Sequence, residues 1–345
     1  MSKELTDKIL GVLGTCAIGD AMGSVTENLT FDQIRETFPG GLQEFRKPGE
    51  TAFALGNEAG EVTDDFSQTY LISQAIVEAG GKITRGVVVG AILKWSDIPR
   101  WYDRFAGPTT RGAIASLKDP KHEVKSPYGT VHVDYACKAT NGAAMKISPA
   151  GIMNPDDVEG AIRDAITICR VTHDNSLAIS GACATAAAVS AGLAEGATMR
   201  DALGAAVYGA MRGETIGKRV SHDVAGASVV ERMHLANEIV RGPGSKEEKL
   251  RRISEVVGSG LLISEAVPCA YGLALLNMDD ALQATIDAVN IGYDTDTVAA
   301  ITGAMVGAFA NLKDERYARL LSRIQKANDF DLVDLASKLA GYASK

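Results

Sequence analysis

The chain has 345 residues, 46% of them hydrophobic and 23% charged, enough to bury about three quarters of the surface its unfolded form exposes. With 36 Gly, 10 Pro and a formal charge of -8, it is neither a low-complexity nor a collagen-like sequence, and it lacks the basic footprint of a protein that grips nucleic acid phosphates. Its five cysteines (Cys16, Cys137, Cys169, Cys183, Cys269) are odd in number, widely spaced and without a CxxC pair, which is cytoplasmic usage.

Apolar residues recur at spacings of three and four in Ile9, Leu13, Ala17 and Ile18, predicting an N-terminal helix. Leu13-Gly14-Thr15-Cys16 has the outline of a lipoprotein cleavage box, but Lys3, Glu4, Asp7 and Lys8 cancel where an export signal needs a positive start. Leu71, Ala75 and Ile76 lead to a helix stop at Gly80-Gly81. Further helices are expected over Asp156 to Val171, Ser176 to Ala194, Met199 to Met211, Ala227 to Val240, Lys246 to Val257, Asp279 to Asn290, Thr297 to Ala310 and Glu315 to Lys326. Ser176 to Ala194 carries no charge over 19 residues, close to a membrane span in length, but its Ala, Gly and Ser content reads as a packed central helix. Only Gly129 to Asp134 alternates like a strand, and it is too short to organise a sheet. Asn28 to Glu61 and Ser96 to Pro127, rich in Pro and Gly, read as long functional loops. Gly303 with Gly307, and Ala304 with Ala308, permit close backbone approach. No internal repeat is evident, and the expectation is one all-α, compact multi-helix domain spanning residues 1–345.

The chemistry lies in acids at helix starts. Thr63-Asp64-Asp65 precedes the helix of Leu71, and Asp294-Thr295-Asp296-Thr297 precedes that of Ile301. Capping explains one oxygen at each start. It does not explain a second, because carboxylates about 4 Å apart repel by about 4 kcal/mol at an effective dielectric of about 20. Converging carboxylates and Thr hydroxyls need a cation, and as hard oxygen donors they suit Mg²⁺, Mn²⁺ or Ca²⁺ better than zinc. Two other motifs share these letters and fit poorly. The DxDx(T/V) nucleophile of haloacid-dehalogenase-like phosphatases needs a long downstream core, yet 47 residues follow Val298 in the 345-residue chain. The DDxxD of isoprenoid synthases needs an acid where Gln68 stands, and an aromatic pocket in a chain with 6% aromatics.

Gly19-Asp20-Ala21-Met22-Gly23 with Glu27, Thr63-Asp64-Asp65, Asn141 to Met145, Thr172-His173-Asp174, and Gly292 to Thr297 with Gly303-Ala304 occur in the order seen in ADP-ribosylglycohydrolases, and the chain resembles that family over about residues 8 to 312. The resemblance implies an all-helical domain carrying two Mg²⁺ ions, with Mn²⁺ as a substitute, that hold a ribose while its C1 bond is hydrolysed. Carried over by position, Thr63, Asp64, Asp65 and Asp296 resemble the ligands of one ion, and Asp294, Asp296 and Thr297 those of the other, with Asp296 bridging. Glu27, otherwise a solvated loop acid, matches the acid near the scissile bond, and either it or the metal-bound Asp65 is the expected general base. Asp20, inside an apolar helix, is expected to support the site. His173 matches a cleft residue, its plain alternative being a helix-start residue beside the cap Asp174. Asn141, Gly142, Ala143 and Met145 match the close backbone passage by the substrate, which a tight helix contact would also explain.

Three departures stand out: Phe66 where the family has Thr, Tyr293 where it has Gly, and Lys146 where it has Arg. Phe66 and Tyr293 are expected to put rings beside the ribose, narrowing the cleft and favouring a planar leaving group. The expected activity is binuclear Mg-dependent hydrolysis of a ribosyl C1 bond in an ADP-ribosylated substrate. Expected partners are a small ribosyl or ADP-ribosyl compound or an ADP-ribosylated protein, without nucleic acid or membrane. A small-molecule nucleosidase and a non-catalytic ADP-ribose-binding protein, like the lens crystallin relatives of the fold, are the alternatives.

Overall fold

Most helices of this chain start where a short polar side chain satisfies a free N–H group of the first turn, as Thr63, Asn175 and Asp314 do. The computed structural model describes residues 3–50, 52–119, 121 and 131–343. In chain order the helices are α1 (Lys3–Gly23), α2 (Phe31–Thr37), α3 (Asp64–Glu78), α4 (Arg85–Ser96), α5 (Pro99–Phe105) and α6 (Pro108–Lys118). Then come α7 (Val131–Cys137), α8 (Ser148–Ile152), α9 (Val158–Cys169), α10 (Ser176–Gly192), α11 (Met199–Val220) and α12 (Val229–Arg241). The last six are α13 (Lys246–Arg252), α14 (Ile263–Leu276), α15 (Ala281–Val289), α16 (Thr295–Val306), α17 (Glu315–Asn328) and α18 (Leu332–Ala343). Reciprocal capping boxes open α2 (Thr30, Gln33), α11 (Thr198, Asp201) and α13 (Ser245, Glu248). The fold is all-α: the described residues make only isolated bridges, Thr140 with Leu262 and Asn175 with His222.

Two sequence expectations are corrected, and one helix escapes the sequence pattern. Ser96 to Pro127 is not simply loop, because Pro99 and Pro108 sit in the first turns of α5 and α6, where a missing N–H costs nothing. The alternating segment ending at Asp134 enters α7, while Gly129 and Thr130 lie outside the described residues. Helix α14, all but uncharged and interrupted by Pro268, gave no amphipathic signal because it is buried along nearly its whole length. Helix α10 is likewise buried on all sides, against α8, α9, α11 and α16, and no helix of the described residues is long and apolar enough to cross a membrane.

A continuous set of buried apolar side chains extends from Ile9 in α1 to Ala340 in α18. Its centre is the antiparallel contact of α1 with α16. A Cβ on Gly303 would lie 2.4 Å from the Thr15 carbonyl oxygen, one on Gly19 2.4 Å from that of Ala299, and one on Gly23 2.5 Å from the Asp296 Cα. The backbones touch, and the end of α1 is thereby set against the start of α16. Thr295 Oγ1 latches the junction by donating to the Gly23 carbonyl at 2.9 Å, and Thr26 Oγ1 donates to the Val289 carbonyl at 2.5 Å.

Because the blocking atom is backbone, Gly303→Ala should lower unfolding free energy by about 3 kcal/mol or more, at or beyond the upper end of ordinary overpacking. Gly204→Ala, on a part of α11 with nothing within 4 Å of the added carbon, should raise it by about 0.5–1 kcal/mol. Urea unfolding of the two variants checks this; equal effects would contradict the backbone contact.

Candidate functional site

The C-terminal end of α1 and the N-terminal ends of α3 and α16 meet at one point. Asp20, fully buried in α1, fastens α3 there. Its Oδ1 accepts from Thr63 N at 3.0 Å and Thr63 Oγ1 at 2.9 Å, and its Oδ2 from Phe66 N at 2.8 Å. Asp20 thus supplies the cap that the first turn of α3 needs, with both oxygens committed. Thr63 Oγ1 lies 2.9 Å from Asp20 Oδ1 and also 2.9 Å from Asp65 Oδ2, but its single proton can serve only one of them.

Two trios of acids converge at this point, Asp20 with Asp65 and Asp296, and Glu27 with Asp294 and Asp296, their oxygens within 4.8 Å of one another. At that spacing an ionised pair repels by about 3 kcal/mol at an effective dielectric of about 20. The protein does little to relieve it. Glu27 Oε2 and Asp65 Oδ1 are buried and accept no hydrogen bond. Burial, then Asp294 and Asp64, push the Glu27 carboxyl up to about 8; burial, then Asp20, push Asp64 up to about 7. Asp65, Asp294 and Asp296 are also raised, by burial first. Orphaned carboxylate oxygens beside Thr hydroxyls are the donor set of a hard divalent cation, and these residues fit one. Asp296 belongs to both trios. Thr297, also buried here, adds a hydroxyl, and its backbone N–H donates to Asp296 Oδ1 at 2.9 Å. Asp64 lies in neither trio, at a partly exposed edge.

Residues 140–146 form the adjoining wall. Asn141 Nδ2 donates to Asp294 Oδ2 at 2.5 Å, and its backbone N–H donates to the Leu261 carbonyl. Gly142 is partly exposed, whereas Ala143 and Met145 are buried and can offer a cleft nothing beyond backbone. His173, 1% exposed, does not reach a cleft. Its Nε2 pairs with Thr140 Oγ1 at 2.9 Å and its Nδ1 with Thr172 Oγ1 at 2.7 Å, and its ring lies under Gly142. It props the turn, and burial holds it neutral by lowering its pKa well below the usual range.

The two aromatic departures part company. Phe66 is fully buried against Tyr70 and Phe330, so its ring cannot narrow a ribose cleft. Tyr293 is 49% exposed at the rim beside Asp294. Its φ of 65° is the left-handed region, which accounts for a Gly there in the family. Hydrogen bonds to Asn28 and Leu29 hold that backbone, and the ring lies so close to Gly260 that no Cβ would fit. Sequence reasoning missed Thr140, Gly260 and Gln68 as parts of the site, because each depends on a partner distant in sequence and carries no local motif.

Raised carboxyl pKa values make the metal-free protein take up protons on folding. Its stability should therefore fall as pH rises from about 6.5 to 8, where Glu27 and Asp64 lose those protons. His173, neutral when folded, acts oppositely only below its ordinary value near 6.5, and Lys146, lowered to about 8, acts above this window. Thermal unfolding in chelator should show the slope and saturating Mg²⁺ should flatten it. A flat chelated profile would contradict the assignment.

The ADP-ribosylglycohydrolase family model matches residues 1–344. The uncharacterized protein YegU of Escherichia coli K12 is 30% identical over 342 residues, 98% of this chain and 97% of that one. The ADP-ribosylarginine hydrolase Tri1 of Serratia proteamaculans is 27% identical over 311 residues, 88% of this chain and 72% of the relative. A solved structure of an ADP-ribosylglycohydrolase-related protein complex shares the fold, with a TM-score of 0.65 at 22% identity over 99% of both chains. Family model, length and fold agree, and the chain belongs to the ADP-ribosylglycohydrolase family of hydrolases acting on glycosyl bonds.

Proposed function

We propose that this glycohydrolase works with two Mg²⁺ ions, replaceable by Mn²⁺, and hydrolyses the C1 bond of a ribosyl group in an ADP-ribosylated substrate. The observation that carries the metal reading is the buried, unpartnered Asp65 Oδ1 beside Asp296, the acid that two converging trios share. Thr63, Asp64, Asp65, Asp294, Asp296 and Thr297 would hold the ions, with Asp296 common to both. When bound, the ions supply positive charge beside the ribose hydroxyls and the attacking water.

The chain's own residues do the rest. Asn28 Nδ2 donates to Glu27 Oε1 at 3.3 Å, which leaves Oε2 to accept a proton from water. The water oxygen bonds to C1 as the C1 bond to the departing group breaks. The bonding pair leaves with that group, which takes up the proton. Asn141 holds Asp294 in place, and the Gly142 backbone passes close by without a side chain in the way. Exposed Tyr293, with Leu261 also exposed near it, favours a second reading in which the departing group is a planar base of a free nucleoside. Turnover of ADP-ribosylarginine, ADP-ribosylserine and simple nucleosides with Mg²⁺ separates the two, and inertness toward all three would leave a binding protein.

Asp296→Asn should lose both ions, by more than the roughly 10–100-fold in affinity typical when only an outer partner of a metal ligand is removed. Thr297→Ala should weaken one. Metal analysis and titration calorimetry measure this, and full occupancy in Asp296→Asn would remove the bridging role.

Glu27→Gln keeps shape but cannot accept the proton. It should hold metal and substrate normally while kcat falls by about 10²–10⁴-fold. An unchanged kcat would return Glu27 to an ordinary buried acid.

A further inference from the structure

Behind the acids lies a cation that the reaction just described does not use. Lys146 is 1% exposed, and its Nζ donates to Gln68 Oε1 at 3.1 Å. Gln68, fully buried one turn along α3 from Asp64, donates from Nε2 to Asp64 Oδ2 at 3.4 Å. An ammonium has donors only, so the amide must turn its oxygen toward Lys146. The amide is planar, and that choice aims its NH₂ at Asp64. We propose that Lys146 is a positioning residue: through Gln68 it fixes the Asp64 carboxylate so that Oδ1 is presented to a divalent cation.

This rests on the reading of the acids as a metal site, and it makes a prediction opposite to simple electrostatics. If Lys146 were only a positive charge near the cations, removing it would tighten metal binding. If it orients Asp64, removal lets the Gln68 amide turn its oxygen to the carboxylate, and binding weakens. Lys146 also lies near Cys169 and His173, but burial pushes the thiol up to about 12 and keeps the imidazole neutral, so neither competes for its charge.

The test titrates Mn²⁺ alone, by calorimetry and by the electron spin resonance of free Mn²⁺, into wild type, Lys146→Met, Lys146→Arg, Gln68→Leu and the Lys146→Met/Gln68→Leu double variant, each checked for folding. Lys146→Met and Gln68→Leu should each weaken Mn²⁺ binding about tenfold, as loss of an outer partner of a ligating carboxylate does. Lys146→Arg, which keeps a donor toward Oε1, should stay within about threefold of wild type. The double variant should lose no more than either single one, since both remove the same link. Lys146→Met binding Mn²⁺ as tightly as wild type or tighter, or losses that add, would overturn the proposal while leaving the metal site standing. A wild-type protein that binds no Mn²⁺ would overturn both.

Discussion

The contact on which the rest depends is the one between α1 and α16, where two backbones meet with no Cβ between them. Gly19 and Gly23 of α1 lie against Ala299 and Asp296 of α16, and Gly303 lies against Thr15. Such a contact has almost no tolerance. A side chain that moved the helices apart by about 1 Å, or slid them by the 1.5 Å rise of one residue, would pull apart the converging carboxylates, which the proposed hard cations would need aligned to a few tenths of an ångström. Asp20 and Glu27 on one side, Asp294 and Asp296 on the other, are in register because the glycines leave them no alternative. Packing here does the work of ligand geometry.

The second fixed point is Asp20. An isolated carboxylate inside an apolar helix would be costly, and burial does push this one up to about 6. Its compensation is the start of α3, with the Thr63 and Phe66 N–H groups, the Thr63 hydroxyl and the positive end of the helix dipole. The same bonds fix where Thr63 and Asp65 sit. An acid that looks unfavourable on its own is the joint between α1 and the acid-bearing first turn of α3, and its saturated oxygens separate it from Asp65, whose Oδ1 has no partner.

The features legible in the sequence were those that short stretches encode. Thr63-Asp64-Asp65 and Asp294 to Thr297 carried more acid than caps require, and Gly303 with Gly307 announced a close helix contact. Side-chain direction was less legible. Phe66 follows Asp65 directly, but one residue in a helix turns about 100°, enough to carry its ring from the site into the core beside Tyr70 and Phe330. His173 was read from its motif as a cleft residue, and only tertiary packing shows both its nitrogens taken by Thr140 and Thr172. Pro99 and Pro108 lie in a stretch whose Pro and Gly content reads as loop, whereas each begins a helix, a distinction that depends on where the N-cap falls. Tyr293 is the intermediate case. Departure from Gly marked the position, while the left-handed backbone that explains the Gly became visible only in three dimensions.

Charge links the architecture to the chemistry. Asp20, Glu27, Asp64, Asp65, Asp294 and Asp296 oppose a single buried ammonium, Lys146. Fully ionised, the set carries five net negative charges, and the two divalent cations of the proposed site would offset four. A glycosyl bond breaks through a transition state with positive charge developing at C1, so in the proposed two-ion site one residual negative charge would favour that state over the neutral ribosyl group of the proposed substrate. Glu27 is the carboxylate best placed to hold it. It ends the α1 side of the cluster, and its Oε2 has neither hydrogen bond nor contact with solvent. In the proposed reaction, once that oxygen accepted the proton of the attacking water the set would be neutral, and the excess charge that burial and repulsion make costly would be used in the step that needs it.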